Sequence, residues 1–328
     1  MTQRWVCSEN TEHVFDSITS DGLCPTGDGG VLVQLEEVRL PTPGNDISLH
    51  TGKSGLGILV FDLSGSMKEQ IDPVSESPLT KINAVASAFG TTVASLLHGG
   101  SEMKQPDDYF LALVGFAEGA ELLGFYNLPS MKQGDYESTV AYWKQFVLDA
   151  FERFGALTNI TAGLTLANEI YRQALNGRLP SSQYAQQVPA LRKFALGSHR
   201  LVVKGEPVAA PNIRVLVYSD GEHNVGSFDN PFSKVSLVDV ASESGRMVNG
   251  LMSIYFGSPV REEGKTEEGA KQMEEIAGIC PIHGHVGYIP VFRLTHYKYL
   301  RRLLHLSSAA SGFCLQCAHE QVKVKQEE

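Results

Sequence analysis

Gly57-Ile58-Leu59-Val60-Phe61-Asp62-Leu63-Ser64-Gly65-Ser66-Met67 begins as an apolar run and ends as a set of oxygen donors. Short, uninterrupted and rich in branched residues, its first half has the pattern of a strand buried on both faces. The turn that follows carries one carboxylate and two hydroxyls at alternate positions around a glycine. Hard oxygen donors at that spacing suit a small hard cation such as Mg²⁺. In an open parallel sheet, ligands bind at the C-terminal ends of the strands. The stretch therefore predicts a parallel sheet with a cation at its rim. Taken alone, it also fits an ordinary turn after a strand.

Outward from this stretch, strand and helix patterns alternate. Strands are expected at 55–62, 109–116, 120–125, 212–219, 251–256 and 286–292, and helices at 79–98, 137–154, 162–176, 267–277 and 296–310. The first helix rests on the apolar stripe Ile82, Val85, Ala86, Phe89, Val93, Leu96 and Leu97. Alternation of this kind predicts an α/β fold: a doubly wound, mostly parallel central sheet with helices on both faces. The expected organisation is an N-terminal element and linker over 1–45, a main domain over 50–313, and a tail over 314–328. The linker is the Pro/Gly/Asn-rich run Leu40-Pro41-Thr42-Pro43-Gly44-Asn45-Asp46. Residues 178–211 are too many for an ordinary helix-to-strand connection and read as an insertion with some local structure.

Two further segments join the opening one. Gly155-Ala156-Leu157-Thr158-Asn159-Ile160 falls between two helical patterns and offers the Thr158 hydroxyl. Val215-Leu216-Val217-Tyr218-Ser219-Asp220-Gly221 is an apolar strand ending in a carboxylate and a glycine turn. Asp62, Ser64, Ser66, Thr158 and Asp220 would then meet on one rim. Thr158 alone also fits a helix N-cap.

Together these segments resemble the von Willebrand factor A (VWA) domain with its metal-ion-dependent adhesion site (MIDAS). The Asp-x-Ser-x-Ser motif, the later Thr and the later Asp are all present, over about residues 50–313. The resemblance implies that Ser64, Ser66 and Thr158 touch a cation (Mg²⁺, or Mn²⁺ or Ca²⁺) directly, while Asp62 and Asp220 hold it largely through water. It further implies that a protein partner's Asp or Glu fills the open position, making the site a docking device and not an enzyme. Stand-alone intracellular proteins of this look are mostly prokaryotic, and some resemble those found in stress or defence assemblies. Hydroxyl ligands in direct contact leave the cation under-neutralised, which agrees with an acidic ligand from outside. The residues also admit a metal-dependent phosphoesterase, a Ser66-His223-Asp220 triad, or a scaffold with an empty metal site. The triad lacks a nucleophile-elbow pattern, since Ser66 sits in Ser-Gly-Ser-Met. Glu222, His223 and Asn224 are expected near the rim.

The chain has five cysteines. Cys7, His13 and Cys24-Pro25-Thr26-Gly27-Asp28 resemble a zinc ribbon whose second knuckle has lost a cysteine. Cys314-Leu315-Gln316-Cys317 follows the last predicted helix, which topology would bring to the same pole. Cys7, Cys24, Cys314 and Cys317 could then form one tetrahedral zinc site; free thiols are the alternative. A rival set is Cys280, His283 and His285 with His13. A redox role fits less well, because thioredoxin-like pairs sit at a helix start.

Bulk composition excludes several classes. With 42% hydrophobic residues in 328, the chain can bury a substantial core. A net charge of −10 argues against nucleic acid as a partner, since the densest basic cluster is only Lys298, Arg301 and Arg302. The N-terminus lacks the apolar core of a signal peptide, and no apolar run is long enough to span a bilayer. A cytoplasmic location is expected, with cysteines reduced or metal-bound.

Overall fold

The computed structural model describes residues 4–7, 14–15, 25–26, 32–35, 39–40, 47–48, 54–71, 79–98, 108–175, 198–203, 206–211, 213–234, 251–257, 267–278 and 286–291. In chain order the strands are β1 (Arg4–Cys7), β2 (Val14–Phe15), β3 (Leu32–Leu35), β4 (Arg39–Leu40), β5 (Ile47–Ser48), β6 (Ser54–Asp62), β7 (Asp108–Phe116) and β8 (Ala120–Asn127). They continue with β9 (Ser198–Val203), β10 (Glu206–Pro211), β11 (Ile213–Ser219), β12 (Leu251–Phe256) and β13 (Tyr288–Val291). The α-helices are α1 (Lys81–His98), α2 (Tyr136–Phe151), α3 (Ile160–Leu175) and α4 (Glu268–Ile276).

Six strands form the central sheet in the order β13-β12-β11-β6-β7-β8. All neighbours are parallel except β7 and β8, which the short Glu118-Gly119 turn joins as an antiparallel hairpin. The sheet is thus doubly wound and mostly parallel, with helices on both faces.

The apolar run of β6 divides by parity, because successive side chains of a strand point to opposite faces. Leu56, Ile58 and Val60 enter one core with Ile160, Leu164 and Ile170 of α3 and Met273 of α4. Leu59 and Phe61 enter the other with Val85, Phe89 and Val93 of α1 and Trp143 and Val147 of α2. Burial on both faces is why this strand reads as continuous instead of alternating. Phe61 stands 5.3 Å from Tyr218 and 5.5 Å from Phe89, tying β6 to β11 and α1.

Helix α1 meets α2 at Gly90, where an added Cβ would stand 2.5 Å from the Val140 carbonyl oxygen. Glycine inside a helix costs about 0.5–1 kcal/mol relative to alanine. Here the close approach of the two helices requires it. Asp135 caps α2, accepting from Ser138 N–H at 2.8 Å, and Trp143 donates its indole N–H to the Met131 carbonyl at 2.7 Å.

Strand order also locates the site. The chain leaves β6 toward β7 on one side and returns to β11 on the other. The C-terminal ends of β6 and β11, at Asp62 and Ser219, therefore flank the point where the winding reverses. Such a point opens a crevice for ligands.

Outside the central sheet, β1, β2 and β3 form an antiparallel sheet in the order β2-β1-β3, with Cys7 paired to Leu32. The expected linker is flanked by a paired β4 and β5, Leu40 opposite Ile47. Composition alone does not separate a linker from a hairpin connection, since both favour Pro, Gly and Asn. Within the expected insertion, β9 and β10 form an antiparallel hairpin. The predicted helix at 296–310 lies outside the described residues.

Candidate functional site

The cluster is built from the ends of two adjacent strands and two cross-connecting loops. Asp62, the last residue of β6, is fully buried. Its Oδ1 accepts from Ser64 N–H at 2.9 Å, which folds the turn back on the strand end. Its Oδ2 accepts from the Ser219 hydroxyl at 2.5 Å, across from β11. Ser64 and Ser66 hydroxyls lie 3.1 Å apart at the start of a 3₁₀ turn, Gly65–Lys68. Ser66 then donates to Asp220 Oδ1 at 2.8 Å.

Thr158 arrives by a different route. Its backbone is clamped by Asn224, whose Oδ1 accepts from Thr158 N–H at 2.8 Å and whose own N–H donates to the Thr158 carbonyl at 2.9 Å. Thr158 Oγ1 would stand 3.1 Å from a Cβ placed on Gly221, so the glycine after Asp220 lets the two loops close together. Thr158 itself does not cap α3. That role belongs to Asn159, whose Oδ1 accepts from Ala162 N–H at 3.0 Å. Thr158 is 2% exposed, and its hydroxyl has no hydrogen-bond partner among the described residues. The Gly65 N–H donates to the Ala156 carbonyl at 3.3 Å, joining this loop to the first. The five expected residues are thus brought to one rim.

Three participants, Ser219, Lys81 and Glu69, were not read from the sequence. Ser219 bonds Asp62, and its signal is available: a hydroxyl in an otherwise apolar strand that is buried throughout must find a partner. Lys81 is the first residue of α1, and its ammonium donates to Asp220 Oδ2 and, at 2.8 Å, to Glu69 Oε2. No local pattern marks this bridge, because 139 residues separate Lys81 from Asp220.

Electrostatics follow from burial. Desolvation pushes the Asp62 carboxyl up to about 7, and the Asp220 charge adds to it, while hydrogen bonds from Ser219 and Ser64 act the other way. Burial opposes the charge on Lys81, but the Asp220 charge, with hydrogen bonds to Asp220 and Glu69, leaves its pKa raised. A buried acid beside a second acid is the environment that a cation relieves. Two carboxylates, two facing serine hydroxyls and a threonine hydroxyl fit a hard divalent ion in donor chemistry. Among the described residues no three or more His, Cys, Asp or Glu side chains cluster as a metal-binding group. Hydroxyls form the larger part of this rim set.

A triad of Ser66, His223 and Asp220 is not formed. Ser66 donates directly to Asp220. Both ring nitrogens of His223 lack a hydrogen-bond partner among the described residues, and the ring packs against Phe228 at 5.7 Å. Of the other rim residues, Glu222 is exposed and Asn224 serves the clamp on Thr158. Cys7 ends β1, but its side chain, with Cys24, Cys314, Cys317 and the rival Cys280, His283, His285 and His13, lies outside the described residues. No described helix is long and apolar enough to cross a membrane.

No protein-family model matches the sequence, and no curated protein matches it. Among solved structures, a von Willebrand factor type A protein from Catenulispora acidiphila is 16% identical at a TM-score of 0.37, over 78% of this chain and 43% of that one. Proximal thread matrix protein 1 from the mussel byssus, with a zinc-occupied MIDAS motif, is 15% identical at 0.41, over 79% and 49%. An aerotolerance-related membrane protein from Bacteroides fragilis is 14% identical at 0.38, over 77% of this chain and 98% of that one. The chain spans less than half the length of the first two. The doubly wound α/β fold rests on the strand order and the two helical layers.

Proposed function

We propose that the rim cluster binds one divalent cation, Mg²⁺ or a similar hard ion, and that the bound ion receives an acidic side chain from a protein partner. Ser64, Ser66 and Thr158 would supply direct oxygen ligands, with Asp62 and Asp220 acting largely through ion-bound water. One observation carries this reading. Three segments far apart in sequence converge, with Ser64, Ser66 and Asp220 linked by contacts of 3.1 and 2.8 Å and the Thr158 hydroxyl beside Gly221. With both acids acting through water, the ion's direct protein ligands would be neutral hydroxyls, so a carboxylate from outside is favoured at the open position. Leu157, 44% exposed next to Thr158, offers an apolar contact beside the ion. To the same proposal belong a prokaryotic stress or defence assembly, through the family resemblance, and the cytoplasmic setting expected from the sequence. So does a zinc centre on Cys7, Cys24, Cys314 and Cys317, which metal analysis of protein purified without chelator tests.

A scaffold with no metal is the second reading, and Lys81 favours it, because its ammonium already answers Asp220. Calorimetric titration with Mg²⁺ and Mn²⁺ separates the two. One saturable site in the wild type, lost in Ser64→Ala/Ser66→Ala, supports the cation reading; no binding leaves the scaffold. Proteins that co-purify in Mg²⁺, and are lost in chelator and in the double variant, would supply the partner. Metal-dependent hydrolysis of a phosphate ester, abolished in Asp62→Ala, would instead make the site an enzyme.

A further inference from the structure

Lys81 is the charged group that the cation reading leaves unused. Lysine is rarely buried without a paired acid, yet this side chain is only 9% exposed. Its position is also unfavourable in the helix itself, since the first turn of a helix repels positive charge. The acids facing it therefore account for its placement. The inner one, Asp220, has a side chain 1% exposed, and the outer one, Glu69, is 68% exposed. Asp220 is consequently divided, with Oδ1 turned to Ser66 inside the cluster and Oδ2 held by the ammonium.

We propose that Lys81 is a tethered counter-cation that competes with the divalent ion for Asp220, so that the site binds metal more weakly than its oxygen donors alone would allow. This inference rests on the cation reading above. Without the ion, the ammonium neutralises one of two buried carboxylates. With the ion present, three positive charges face those two carboxylates, and burial of the Lys81 and Asp220 side chains, 9% and 1% exposed, weakens the screening between ammonium and metal. The opposite role is physically distinct: a lysine that merely positions Asp220 would strengthen metal binding.

The test is Mn²⁺ binding to the full chain, followed by calorimetry and by the electron paramagnetic resonance of free Mn²⁺. Lys81→Met is expected to bind Mn²⁺ about tenfold more tightly or better, and Lys81→Arg to return to near the wild-type value. In chelator Lys81→Met should melt below the wild type, and saturating Mn²⁺ should close or reverse that gap. Glu69→Gln tests the idea with the inner contact intact. Removing the outer acid leaves the ammonium less compensated, and Mn²⁺ binding should weaken about two- to threefold. Unchanged or weaker binding in Lys81→Met overturns the competitor role, as does unchanged or tighter binding in Glu69→Gln should Lys81→Met not fold. If the wild type binds Mn²⁺ and loses it in Ser64→Ala/Ser66→Ala, such a result overturns this inference alone. If no variant and no wild type binds Mn²⁺, the cation reading falls with it.

Discussion

Asp62 and Asp220 follow adjacent strands of one sheet and enter one cluster, yet they are held by different means. Asp62 is fully buried and answered by neutral donors, the Ser64 N–H and the Ser219 hydroxyl. Asp220 is answered by the Ser66 hydroxyl and by the Lys81 ammonium. Burial raises the pKa of the first. The uncompensated charge of the cluster therefore lies at the β6 end, and an added cation has most to offer there. The β11 end already has a cation of its own.

The largest effect that probes this contrast is on pH dependence. Asp62 has an ordinary pKa of 3.8 and is pushed up to about 7 in the fold. Between those values the folded chain keeps a proton that the unfolded chain has released. In chelator, the Asp62 contribution to stability should therefore fall as pH rises from about 4 to about 7 and level off above. The whole span is of order 4 kcal/mol. Urea unfolding at about pH 4.5 and about 7.5 measures it. Asp62→Asn should remove that contribution, and saturating Mg²⁺ should reduce it. Equal slopes in wild type and Asp62→Asn would break the contrast at its root.

A smaller effect is expected from Ser219→Ala, which leaves Asp62 Oδ2 buried without its donor. Chelated protein should lose about 1–3 kcal/mol of unfolding free energy. Ser66→Ala removes one donor from Asp220 while Lys81 stays in place, so its cost should be the smallest, about 0.5–1.5 kcal/mol. Finding Ser66→Ala costlier than Ser219→Ala would reverse the assignment of which acid is better compensated.

Much of the fold was legible because it is written locally. The run over Gly57–Phe61 and the equally apolar run before Asp220 are buried on both faces, and such runs read as parallel strands without knowledge of their neighbours. Asp62, Ser64 and Ser66 were legible for the same reason, being adjacent in sequence. Thr158 was harder, since a threonine before a helix reads equally well as a cap, and only the structure assigns that role to Asn159. Lys81 was not legible at all. It sits within the helical pattern after Leu79, and what separates it from a solvated lysine is a partner from another strand. Charge pairs across long sequence separations leave no periodic trace, and neither does the pairing of β4 with β5 around a proline-rich run.

The pair of hydrogen bonds between Asn224 and the Thr158 backbone has a consequence for association. Asn159 adds its own ties, its N–H to the Ala117 carbonyl at 2.7 Å and its amide to the Glu118 carbonyl at 2.9 Å. The loop carrying Thr158 is thereby fixed to the ends of both flanking strands before any ligand arrives. Immobilising a loose loop on binding opposes association, and here that ordering is already complete in the folded chain. A partner of the kind proposed would meet a stiff surface at this rim, so differences in its grip should appear mainly in how slowly it leaves.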